Sequence, residues 1–219
     1  MPRLPGVAWP RGGNHPGMTA LLEVPRQVAE SALSVFGVRT GTEEPPYTAT
    51  PLGDGVEIRE YRERIAAETT VTAGEDAARS TGFRRLAGYI FGSNRGSAKI
   101  AMTAPVAQAP DPKGDWVIRF YMPSKWAMGE LPTPNDDRVR LVTVPAETVA
   151  VLRFSGDRSA QAVAERTEQI RKVLRDKGFD ATGEAVAWFY DPPWTLPFLR
   201  RNEVAIALTA APRDSPRTV

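Results

Sequence analysis

The stretch FRRLAGYIFGSNRGSAKIAMTAPV, residues 83–106, decides how the rest of the chain is read. Phe83, Leu86, Ala87 and Ile90 recur at i, i+3, i+4 and i+7, which is one face of an amphipathic helix. Residues 92–97 hold two glycines, two serines and an Asn, a composition that ends a helix and turns the chain. Ile100, Met102, Ala104 and Val106 then alternate with Lys99, Ala101, Thr103 and Pro105, predicting a strand with one apolar face. Pro105 lacks a ladder donor, so this strand is expected to end, bulge or lie at an edge there. A helix and a strand joined so closely must lay their apolar faces together, making one wall of a core or a pocket.

Working outward, the same pattern occurs twice. The first half reads strand (56–61), strand (65–71), helix (75–91), strand (100–106), strand (116–122). The second reads strand (139–144), strand (148–154), helix (159–177), strand (184–190), strand (203–208). The first four matching elements begin 83 or 84 residues apart, a repeat of pattern and not of residues. Thr72 and Glu75 have the spacing of a capping box at the first helix. The second helix carries Val163, Thr167, Ile170 and Leu174 as its inward stripe, and Gly178–Phe179 suits a Schellman end. The expected fold is α+β: a duplicated ββαββ unit forming a distorted eight-stranded antiparallel barrel flanked by two helices.

Composition removes whole classes of function. The 219 residues suffice to bury roughly 70% of the unfolded surface without staples. With no cysteine there is no disulfide framework, thiolate metal site, covalent haem attachment or thiol catalysis. The 28 basic residues are interspersed among 26 acidic ones, so the footprint of a nucleic-acid binder is missing. No apolar run reaches the roughly 18 residues of a membrane span, and the start does not read as a secretory signal; a cytoplasmic location is expected. Residues 1–19 read as a disordered tail, with Met18 as an alternative translation start. A helix is expected at 20–37, a linker at 38–55, the folded domain at 56–210 and a second tail at 211–219.

Catalytic constellations are thin. The single histidine, His15, lies in the tail, so neither a Ser–His–Asp triad nor a histidine metal pair exists. Glu57, Glu60 and Glu63, or Glu184 and Glu203, could supply paired carboxylates, but alternating charge on half-exposed strands explains them more simply. The informative loop is YDPPWTLPFLRR, residues 190–201, where three prolines stiffen a segment bearing Trp194, Leu196, Phe198 and Leu199. Such an apolar cluster either plugs the barrel end or touches a ligand.

GYIFGSN followed by KIAMTAPV, together with VEIREY (56–61), FYMP (120–123) and YDPP…RRNEV (190–204), resembles the SOUL/haem-binding protein family over about residues 56–208. The resemblance implies a barrel related to effector-binding domains of the gyrase-inhibitor type, with haem or another porphyrin held reversibly and without catalysis. On that likeness Phe83, Leu86, Ala87, Ile90 and Met102 would meet the macrocycle from one side, and Trp194, Leu196 and Phe198 from the other. Arg79, Arg200 and Arg201 would pair with its propionates. Met102, Tyr89 and Tyr190 are chemically able to ligate iron, but the reading favours a guest held without a histidine axial bond. Two competing readings remain: a barrel that takes another amphipathic or cationic effector, with weak hydrolase activity, and an interaction module whose Trp194 loop drives weak self-association.

Overall fold

The computed structural model describes residues 42–209; both expected tails and the 20–37 helix lie outside them. Nine strands form one antiparallel sheet: β1 (Tyr47–Gly53), β2 (Val56–Tyr61), β3 (Arg64–Val71), β4 (Val106–Pro110), β5 (Trp116–Tyr121), β6 (Arg140–Val144), β7 (Glu147–Phe154), β8 (Ala181–Phe189) and β9 (Asn202–Leu208). Helix α1 (Glu75–Ile90) follows β3 and α2 (Ala160–Lys177) follows β7. The order across the sheet is β1-β2-β7-β9-β8-β4-β5-β3-β6.

Two short connections give the sheet its shape. Residues 62 and 63 join β2 to β3, and residues 145 and 146 join β6 to β7. Each joined pair stands six ladder steps apart in the sheet order. Laid flat, that is about 29 Å at ~4.8 Å per step, whereas a two-residue connection reaches only about 11 Å. The sheet must therefore curl until its ends lie side by side, although no ladder joins β1 to β6 among the described residues.

The expected duplication is present. The β3–β5 and β4–β5 ladders of the first unit correspond to β7–β9 and β8–β9 of the second. The units exchange strands through β2–β7 and β3–β6, and meet along β4–β8. β1 stands outside the repeat, covering the free edge of β2. It makes nine strands where eight were expected, in a stretch read as a linker because its exposed, Thr- and Pro-containing sequence has no apolar face.

The curl yields three apolar layers. Tyr61, Tyr121, Val149, Val151 and Trp188 fill its interior. Leu86, Tyr89 and Ile90 of α1 cover Ile118 and Phe120 on the outside. Ile170, Val173 and Leu174 of α2 cover Leu152, Val204 and Ile206 on the other outer side. The second helix is punctuated as expected: the Ser159 hydroxyl accepts from the Ala162 amide, and left-handed Gly178 lets the Phe179 amide reach the Leu174 carbonyl at 2.9 Å.

Two local expectations are corrected. The first helix has no Thr72–Glu75 capping box; its N-cap is Gly74, without a side-chain cap. The strand expected at 100–106 begins instead at Val106. The preceding amides serve other partners: Ile100 donates to the Ile90 carbonyl and Ala104 to the Glu43 carbonyl, both at 2.9 Å. Pro105 has no amide to give, so the ladder starts one residue later.

Candidate functional site

Phe83 lies on the flank of α1 that faces β4. Its ring meets Phe120 edge-on at 5.3 Å, Phe120 pairs with Val106, and Val106 pairs with Phe189 of β8. One turn earlier the Arg79 guanidinium lies 4.4 Å above the Phe189 ring and donates to the Arg158 carbonyl at 3.3 Å. Arg158 in turn donates to the Asp191 carbonyl at 3.4 Å, and the Gly156 amide to the Pro197 carbonyl at 2.9 Å. The helix, the segment before α2 and the 190–201 loop are thus neighbours around a floor of Val106, Phe120 and Phe189.

The loop is a stapled structure. Arg200 donates to the carbonyls of Thr195 at 2.8 Å and Pro193 at 2.7 Å, and Asp191 accepts from the Arg201 amide at 2.6 Å. Held this way, Trp194 is 62%, Leu196 37% and Phe198 70% exposed. Large apolar side chains presented on a fixed loop are a surface built for contact.

Not every expected residue reaches this surface. Leu86 and Ile90 are buried between α1 and the sheet and cannot touch a guest. A helical stripe has a centre and edges: the centre packs on β5, leaving Phe83, 38% exposed, at the edge. Ala87 is partly buried against the same cluster. Met102 is exposed, on a segment outside the sheet, not on the apolar face of a strand. Arg201 is committed inward, donating to Glu203 at 2.8 Å and to both oxygens of Glu44 at 2.9 Å, and Arg200 serves the loop's own carbonyls. Arg158, unnoticed in the sequence, belongs to the surface: burial first, then the charges of Arg79 and Arg200, lower its pKa. Three guanidiniums therefore converge between the helix and the loop. The regular spacing that exposes a helix face gives no such signal for a residue in a turn.

The interior of the curl holds a second polar constellation. Arg59 forks onto Glu203, with Nη1 to Oε2 at 2.7 Å and Nη2 to Oε1 at 3.0 Å, and the Tyr190 hydroxyl donates to Oε2 at 2.8 Å. Burial alone would raise the pKa of Glu203, but Arg59, Arg201 and Tyr190 together hold it below the ordinary carboxylate value. Burial pushes the Tyr61 phenol up to about 12. At the mouth, Arg64 lies over Tyr61 at 4.3 Å and Tyr121 at 4.8 Å. The pocket it lines there has a cavity volume of about 0 Å3, against the roughly 300–1,000 Å3 of small-molecule sites. Glu203 is enclosed as a cation-effector site would require, yet its charge is already met by two guanidiniums.

A haem iron finds few donors here. The Tyr89 hydroxyl is given to the Pro132 carbonyl at 3.0 Å, that of Tyr190 to Glu203, and His15 lies outside the described residues. Among the described residues no cluster of three or more His, Cys, Asp or Glu can hold a metal ion. Of the three side chains able to ligate iron, both phenols are engaged in hydrogen bonds, and the Met102 thioether is exposed on the segment before β4.

Fold and surface together define a duplicated, curled antiparallel sheet with two outer helices and an apolar face at one end. The sequence profile described as SOUL heme-binding protein matches residues 42–207, and the chain belongs to this family. It is 31% identical to Heme-binding protein 2 of Mus musculus, covering 81% of this chain and 94% of that protein. It is 33% identical to Heme-binding protein 2 of Homo sapiens, covering 73% and 80%. Among solved structures, the C-terminal domain of EcmrR superposes with a TM-score of 0.56 at 12% identity, covering 74% of this chain and 98% of that one. A hydrolase from Listeria innocua superposes at 0.52 with 9% identity, covering 70% and 91%. These two likenesses are of fold alone. Among the described residues no helix is long and apolar enough to cross a membrane.

Proposed function

We propose that the chain binds haem or a closely related tetrapyrrole reversibly and without catalysis, on the face between α1 and the 190–201 loop. The observation that carries this reading is the pair of fixed apolar walls, Phe83 on one side and Trp194, Leu196 and Phe198 on the other, joined through Arg79, Arg158 and Asp191. Family membership and two relatives named for heme binding support it. Haem when bound supplies a flat apolar ring and two carboxylates. Phe83 and Trp194 offer that ring aromatic faces. Arg158 receives a propionate, whose negative charge relieves its repulsion by Arg79 and Arg200, while Arg79 stays paired with Asp76. The interior carboxylate Glu203 is held by two arginines and below its ordinary pKa, which leaves it a poor general base and favours binding over hydrolysis.

A hemin titration followed in the Soret region tests the proposal. Wild type should shift the band saturably at micromolar hemin. Phe83→Asp and Trp194→Ala should each weaken binding about tenfold or more, equivalent to ~1.4 kcal/mol, and Arg158→Gln less. Met102→Ala should leave the spectrum unchanged. No saturable shift in wild type, or full affinity in both apolar variants, defeats it. Self-association of the wild type that disappears in Trp194→Ala, in the absence of any hemin response, would make the loop a protein-interaction surface instead.

A further inference from the structure

The opposite flank of α1 borders a second feature, unrelated to the apolar face. Arg84, Arg85 and Gly88 on the helix line a groove of about 300 Å3, with Ser93, Asn135 and Asp136 across from them. Its far wall is braced. The Asn135 amide donates to the Ser93 carbonyl at 3.2 Å and the Arg95 amide to the Thr133 carbonyl at 2.9 Å. Buried Asn94 ties the wall to the end of α1, donating to the carbonyls of Tyr89 at 2.7 Å and Ala98 at 2.8 Å. A groove fixed on both sides loses little entropy when it is filled.

Its charge is one-sided. Asp136 is neutralised by Arg138, which donates to its two oxygens at 2.8 Å each. Arg85 is oriented by the Thr69 hydroxyl at 3.3 Å and the Thr70 carbonyl at 3.2 Å, both neutral acceptors, and lies near enough to Asp136 for its charge to help lower that carboxyl's pKa. The side chain of Arg84 is exposed and touches the Thr81 hydroxyl at the limiting distance of 3.5 Å. Gly88 adds a third sign. A Cβ built there meets nothing nearer than the Ser93 hydroxyl at 3.6 Å, an ordinary contact. Packing does not demand a glycine at this point, and a glycine inside a helix is destabilising. What its missing side chain does provide is open space beside two guanidiniums.

We propose that this groove binds a small polyanion, a phosphate ester or a polycarboxylate, whose oxyanion is forked by Arg84 and Arg85 and whose remainder lies against Gly88 and Ser93. It is separate from the tetrapyrrole face and does not depend on it. Isothermal titration of the full chain at low ionic strength with pyrophosphate and, separately, citrate tests this. At least one probe should bind saturably, and the one that binds more tightly identifies the anion class. Arg84→Ala should weaken that probe at least tenfold. Gly88→Glu, which fills the groove and tethers a carboxylate to the arginines, should abolish binding while raising Tm. Lys172→Gln, at an exposed ion pair on α2, should bind the probe as wild type does. Absence of saturable heat with both probes at millimolar concentration overturns the proposal, as does unchanged affinity in both Arg84→Ala and Gly88→Glu.

Discussion

Each oxygen of Glu203 accepts two hydrogen bonds, Oε1 from Arg59 and Arg201 and Oε2 from Arg59 and Tyr190. Removing the charge leaves Arg201 to Glu44 and Arg59 to Glu57 alone, so Glu203→Gln is expected to cost ~1–3 kcal/mol at neutral pH, read from urea unfolding. The carboxylate's folded pKa lies below its unfolded value. Its contribution is therefore fully present above the unfolded pKa, near 4.3, and is lost as pH falls through the folded value. Wild-type stability should drop steeply below about pH 4, and Glu203→Gln should flatten that drop; an equal acid slope in both proteins rejects the assignment. None of this network was visible in the sequence, and the reason is physical. Alternation in VEIREY shows that Glu57, Arg59 and Tyr61 share a face, opposite Val56 and Ile58. On an open two-layer sheet the charged face would be the wet one. Here α2 covers the Val56 side and the curl encloses the other, so Arg59 is 2% exposed. Arg201 escaped for a related reason: Glu203 is a neighbour two residues along, but only the fold brings Glu44 to it.

The elements themselves were far more legible, because hydrophobic period and punctuation are local. Both helices and their repeat spacing stand where the 3.6-residue pattern and Gly178 put them, while β1 (YTATPLG) and β4 (VAQAP) have no comparable signal. The role of glycine within α1 also needed the structure. At Gly82 the helix comes so close to β5 that a Cβ would fall 2.4 Å from Ile118 Cγ1. At Gly88 the nearest atom is 3.6 Å away. The same substitution should therefore have opposite signs within one helix. Gly82→Ala is expected to destabilise by ~1–3 kcal/mol through overpacking, in spite of alanine's better propensity. Gly88→Ala should stabilise by ~0.5–1 kcal/mol. Urea midpoints at constant m-value decide between this and a uniform propensity effect, which would stabilise both variants.

At the scale of the molecule, the duplicated units are not two domains side by side. Each lends a strand to the other through β2–β7 and β3–β6, and both meet along β4–β8, so neither sheet half has a complete set of ladder partners alone. A break in one half removes hydrogen-bond partners from the other, which couples their stabilities. Ile206 and Ile118 occupy the outer layers of opposite units, under α2 and α1 respectively. Truncating Ile206 to Ala should cost ~2–5 kcal/mol by loss of burial and cavity formation. If the interlock governs unfolding, native-state hydrogen exchange will show that loss equally in the slowest amides of β3 and β5, some distance away, and in those of β7 and β9. Ile118→Ala should give the reciprocal result. Protection reduced only in the mutated unit would mean that the halves open independently, and that the exchanged strands do not bind them into one cooperative structure.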